Sequence, residues 1–149
     1  MELPSLIIMF VEDGKGPVTE LLRVVWDAAP VFEWLADTSG SISHEAMPHV
    51  LANQGKSIAQ RARVALDLVD PFDEVTVDTI FSYLRRHSLT CAFSGTSVPD
   101  IVVGLGPEGG EISCHEPGAT WRYNVDLLDF SAAIRRVASE LSGRRSRLE

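Results

Sequence analysis

Three stretches of this chain carry residue types whose spacing invites chemistry. The first is Gly104-Leu105-Gly106-Pro107-Glu108-Gly109, a GxGxxG directly after an apolar run, with Asp129 twenty residues past its last glycine. In a dinucleotide site the third glycine opens a helix whose N-terminal N–H groups hold the pyrophosphate. Here Glu111 to Glu116 alternates apolar and polar residues and stops at Pro117, so the segment reads as a strand. Pro107 also removes a backbone donor from the loop. The stretch is therefore expected to be a hairpin turn, and no cofactor is expected.

The second stretch is His44-Glu45-Ala46-Met47-Pro48-His49, an HExxxH. Zinc chemistry of the HExxH type needs two histidines four apart on one helical face, and these are five apart with a proline between them. A polar loop with two solvated histidines is the expectation, with no metal. Cys114-His115 offers a thiol beside a base, but neighbours on a strand point to opposite faces. No GxSxG nucleophile elbow occurs in the chain.

The third stretch is the acidic cluster Asp67, Asp70, Asp73, Glu74 and Asp78. A calcium loop alternates its ligands as DxDxDG, whereas this run is spaced by threes and broken by Pro71-Phe72. Acidic residues near a helix N-terminus suit the helix dipole. Beyond that local role, the five together would make an acidic docking face for a basic partner.

The elements that must position these residues follow from periodicity. Leu6 to Val11 is a continuous apolar run, which predicts a strand at 5–11 buried inside a sheet. After a Gly14-Lys15-Gly16 turn, Pro17 and the spacing of Val18, Leu21, Leu22 and Val25 predict a helix. Pro30 is expected to interrupt it, with a short helix through Val31, Trp34 and Leu35 closed by Ser39-Gly40, and Ser41 to Met47 as loop. Ser57-Ile58-Ala59-Gln60 has the form of a capping box, and Ile58, Ala62, Ala65, Leu66 and Val69 extend it as a helix ending before Pro71. Thr76 reads as the next N-cap, with Val75 and Ile80 as a hydrophobic staple and Arg85, Arg86 and His87 at the C-terminal end.

From Leu89 the period changes to two. Leu89-Cys91-Phe93, Ile101 to Leu105, Ile112-Cys114 and Trp121-Tyr123-Val125 predict an antiparallel meander over 89–125. Phe130, Ile134, Val137 and Leu141 predict a closing helix at 129–142, begun by Asp126, Asp129 or Ser131 and ended by Gly143. The expected class is α+β, a four- to five-stranded mainly antiparallel sheet packed against about five helices. Residues 1–143 are read as one domain and 144–149 as a basic tail, with Leu148-Glu149 resembling the junction before a purification tag.

Composition bounds the function classes. The chain has 149 residues, 45% hydrophobic and 23% charged, enough to enclose a core. Its longest apolar run is far short of the roughly 20 residues that cross a bilayer, and no basic n-region precedes it. Two cysteines, Cys91 and Cys114, are too few for a disulfide framework, and they would bridge only if neighbouring strands brought them together. A cytoplasmic location is expected.

The net charge of −8 is uneven: residues 1–134 hold 8 Lys and Arg against 19 Asp and Glu, and residues 135–149 hold 5 against 2. Such a body repels phosphate backbones and anionic lipid, so neither a nucleic-acid nor a membrane partner is expected. The reading that results is a non-enzymatic intracellular protein-binding module, of the inhibitor or immunity type, for a basic partner. The alternative is a small enzyme or small-molecule binder with a cleft between the sheet and residues 41–74, where His44, His49, Asp70 and Asp73 would act. Association of identical chains through a strand edge or the tryptophans is a third arrangement.

Overall fold

The computed structural model of the chain describes residues 4–12, 16–52 and 56–148. Ser5–Val11 and Thr19–Trp26 form β1 and β2, an antiparallel hairpin with Leu6 opposite Val25 and Ile8 opposite Arg23, and a register shift between Met9 and Phe10. The helix expected from Val18 to Val25 is thus a strand. Over so short a window its apolar residues fit both periods; Leu22, Val24 and Trp26 turn inward between exposed Arg23 and Val25. An adjacent partner strand supplies the ladder that decides between them. Of the expected Gly14-Lys15-Gly16 turn, only Gly16 is among the described residues.

Ala28–His44 forms one continuous helix, α1, capped by Asp27, whose Oδ1 accepts from the Ala29 N–H at 3.1 Å. Pro30 falls in the first turn, where an N–H has no intrahelical acceptor, so it continues the helix rather than interrupting it. Gly40 lies inside α1, and residues 41–44, expected as loop, are its last turn. His49–Leu51 make a 3-10 turn.

Ile58–Leu68 form α2, and the Ser57 cap is as expected: its Oγ accepts from the Gln60 N–H at 3.1 Å while Gln60 Oε1 accepts from the Lys56 N–H. Glu74–His87 form α3, whose N-cap is Asp73 rather than Thr76. Val75 therefore lies within the helix and is exposed, so the staple with Ile80 does not form.

The strand expected at 89–93 is a 3-10 turn, Leu89–Cys91, and the residue before it, Ser88, makes an isolated bridge with Val102. Leu89, Ala92 and Phe93 are buried while Cys91 is exposed, a helical-turn spacing hidden within an apparent alternation. The meander begins later, with β3 (Ile101–Gly106), β4 (Gly109–Glu116) and β5 (Ala119–Asn124) as neighbours in that order. Gly106 pairs with Gly109 across Pro107-Glu108, so the GxGxxG is a hairpin turn, with Gly109 at φ +112°. Pro117-Gly118 makes the second turn, Gly118 taking φ +81° as a type II turn requires after proline.

Leu127–Leu148 form α4, begun by Asp126, whose Oδ1 accepts from the Leu128 and Asp129 N–H groups at 2.9 and 3.1 Å. The helix passes through Gly143, so Arg144, Arg145 and Arg147 stand on a helix and not in a tail. The single sheet with about five helices is thus corrected to two sheets, of two and three strands, with four α-helices among the described residues. Among the described residues, the N-terminal strand pairs with β2 and with no strand of the meander.

The three-stranded sheet is covered on both faces. Ile101, Val103, Ile112 and Cys114 pack against α1, α4 and the hairpin through Leu22, Val31, Leu35 and Ile134. Val102 packs on the other side against Leu51, Ile58, Ala65, Ile80 and Tyr83 of the α2–α3 layer. Among the described residues, no helix is long and apolar enough to cross a membrane.

Candidate functional site

The chain direction reverses between α2 and α3, and this turn gathers the acidic residues at one corner. Asp67 ends α2, Asp70 lies in the connection, and Asp73, Glu74 and Asp78 begin α3; all five are exposed. Two of them hold the corner itself. Asp70 Oδ1 accepts from the Phe72 N–H at 2.9 Å, and Asp73 accepts from the Thr76 N–H at 3.2 Å and from the Thr76 hydroxyl at 2.6 Å. The Thr76 hydroxyl and N–H hold the Asp73 carboxyl below the usual carboxylate range. Asp67 makes a loose 3.9 Å pair with Arg63, both exposed, which adds little stability. Glu74 and Asp78 remain turned outward.

Apolar residues stand among these acids. Leu68 is 72% exposed, Phe72 90% and Val75 78%. Periodicity does not mark them, because Val69 and not Leu68 continues the α2 stripe and Phe72 belongs to neither helix. The one legible signal was a large apolar residue between Pro71 and Asp73 in an otherwise charged run.

His44, in the last turn of α1, and His49, in the 3-10 turn, are both exposed. Among the described residues, no group of three or more His, Cys, Asp or Glu is placed to hold a metal. The sheet face toward residues 41–74 is occupied by the packing of Leu51, Ile58, Ile80 and Tyr83. A broad shallow depression of about 450 Å³ lies further out, bounded by Glu45, Arg86 and Thr79 and reaching the acidic corner at Val75 and Asp78.

Next to this surface lies a web of buried and part-buried polar side chains. Arg86 donates to Glu45 through Nε at 2.9 Å and Nη2 at 2.5 Å, and His87 Nε2 lies 3.0 Å from Glu45 Oε2. His87 Nδ1 lies 2.8 Å from the Val103 carbonyl oxygen, which can only accept, so Nδ1 is the donor there. The imidazole is fully buried and stacks on Tyr83 at 3.9 Å.

Arg86 holds the Glu45 carboxyl below its ordinary range against the opposing effect of burial, with His87 adding to it. Burial, reinforced by the Glu45 and Glu111 charges, pushes the Tyr83 phenol well up.

Glu111 is also fully buried, accepting from the Ile58 N–H at 2.5 Å and from Arg122 Nε at 2.7 Å. Ser113 Oγ accepts from the Ala59 N–H at 3.1 Å. Side chains of β4 thus take the first free N–H groups of α2, and the carboxylate sits at the positive end of that helix. Two glycines make the room. A Cβ on Gly104 would lie 2.8 Å from His87 Nδ1 and 2.9 Å from Tyr83 Oη, and one on Gly106 would lie 2.8 Å from Glu111 Oε2. The glycines of the nucleotide-like motif therefore clear space for protein side chains instead of phosphates.

This web is built for holding. Both nitrogens of His87 are engaged, and Glu111 is committed to a helix start and an arginine. Neither cysteine is activated or bridged: burial pushes the Cys114 thiol up to about 11 and raises Cys91 as well. No family model, curated protein or solved structure matches this chain. The fold and these contacts define a small α+β protein with an internal polar framework where α2 starts and α3 ends and, at the other end of that helix pair, a corner that presents acids and apolar side chains together.

Proposed function

We propose that this chain is a non-enzymatic protein-binding module of the cytoplasm that docks a basic partner at the α2–α3 corner. The observation that carries the reading is Phe72, 90% exposed at the tip of a connection held by Asp70 and Asp73. An aromatic side chain presented on a pre-formed turn loses little freedom on binding, the property of an interface anchor. Leu68 and Val75 flank it, and Asp67, Glu74 and Asp78 surround it with negative charge. The acids steer a basic partner and select against an acidic one, while the apolar side chains supply burial.

Such a module acts as an inhibitor or immunity-type protein does, by occupying its partner's surface. The net charge of −8 supports a basic partner and disfavours nucleic acid or anionic lipid. A reducing compartment fits its two unbridged thiols.

The test is affinity capture with the wild-type chain and with Phe72→Ala, followed by titration of the captured protein. The expected partner has net positive charge, weakens as salt is raised, and loses at least tenfold in affinity against the Phe72→Ala chain. A partner held equally well by that variant would overturn the proposal.

A further inference from the structure

Two cavities of about 400 and 290 Å³ run between β1 and α4, on the side of the three-stranded sheet opposite the acidic corner. They adjoin, sharing Ile7, Ile8, Phe32 and Val137. Residues 7–10 line the first and residues 5–8 the second. Side chains of a strand alternate between its faces, so four consecutive residues meet one cavity only along the strand's edge. No β2 residue lines either cavity, so this edge is the one turned away from β2, and β1 has no other strand partner among the described residues. The opposite wall is α4, from Phe130 at the Phe10 end to Arg144 at the Ser5 end.

The walls are mostly apolar, yet every second residue of the free edge presents an N–H and a C=O. Unpaired backbone groups in such a setting are unfavourable, and a strand edge is a template for another strand. An acyl chain would fill the space and leave those groups unpaired, whereas an extended peptide pairs with them.

The helix adds a charge pattern. Arg136 lines the first cavity and Arg144 the second, and neither has an ion-pair partner among the described residues. Eight helical residues rise about 12 Å, close to the roughly 13 Å spanned by four residues of a strand. Glu140 stands between the two arginines and disfavours a third acid there.

We infer that the groove between β1 and α4 receives an extended segment of a partner protein as a further strand on β1. The segment is apolar and carries two acidic side chains four residues apart, opposite Arg136 and Arg144, with a non-acidic residue midway.

The test is fluorescence anisotropy of a fluorescein-labelled peptide, Val-Glu-Val-Thr-Val-Glu-Val, titrated with the full chain. Saturable binding is expected, at least tenfold weaker when both glutamates are replaced by lysine or when alternate amides are N-methylated. The double variant Arg136→Glu/Arg144→Glu, checked for folding by circular dichroism, should prefer the lysine peptide. No saturable binding, or indifference to N-methylation or to the charge reversal, overturns the inference. So does stronger binding of dodecanoate in competition, which would make the groove a small-molecule site. Self-association that the peptide abolishes, seen by light scattering, would instead assign the edge to a second copy of the chain and also overturn it.

Discussion

Glu111 shows how one side chain ties several elements together. Its carboxylate is buried with the Arg122 guanidinium on one oxygen and the start of α2 on the other. Removing one member of a buried pair leaves the other uncompensated, which costs about 3–5 kcal/mol, while removing both charges costs far less. Arg122→Met should therefore lower the urea midpoint strongly and Glu111→Gln/Arg122→Met should recover much of it; equal losses would show that the pairing is unimportant. Glu45 makes a pH prediction. Its carboxyl is lowered chiefly by Arg86 in the folded chain, so the unfolded chain takes up that proton at higher pH. The contribution is complete above the ordinary carboxylate range and is lost as pH falls through the folded value. Stability measured by urea unfolding should decline through that acidic window in the wild type, and less steeply in Glu45→Gln. None of this web was legible in the sequence. His87 reads there as a helix-end residue and Glu111 as the start of an alternating strand, because the partners lie 42 and 11 residues away.

At the scale of elements, short-range signals succeeded where they were chemically specific. The Ser57 cap, the Pro117-Gly118 turn and the hairpin at Gly106 to Gly109 are as their residues predict, since each depends on geometry that few residues satisfy. Apolar spacing failed at Thr19–Trp26 and at Leu89–Cys91, where a window of five to eight residues fits more than one period. Glycine and proline misled as helix breakers: Pro30 sits in the permissive first turn of α1, and Gly143 lies within α4. This yields a measurable consequence. A Cβ at position 143 meets nothing within 4 Å, so Gly143→Ala should stabilise the chain by about 0.5–1 kcal/mol, read from the shift of the thermal midpoint. A neutral or destabilising result would place the end of α4 at 143 after all.

For the molecule as a whole, the two sheets differ in support. The three-stranded sheet is packed on both faces, whereas the β1–β2 hairpin packs on one face and leaves Leu6, Ile8, Phe10 and Val25 exposed on the other. Hydrogen exchange should therefore find the amides of residues 5–11 opening at lower free energy than those of 101–106, and equal protection would contradict this division. The sequence by itself determined the α+β class, three of the four strands expected over 89–125, the capped start of α2 and the acidity of the α2–α3 connection. These rest on local chemistry: period-two alternation, cap and turn residues, and charge counts. Only the tertiary structure decided that the N-terminal run pairs with β2 in a sheet of its own, that Gly104 and Gly106 clear space for His87 and Glu111, and that Phe72 stands among the acids. Those are contacts between residues far apart in the chain, and the free energy that selects them comes from burial and pairing that no local window contains.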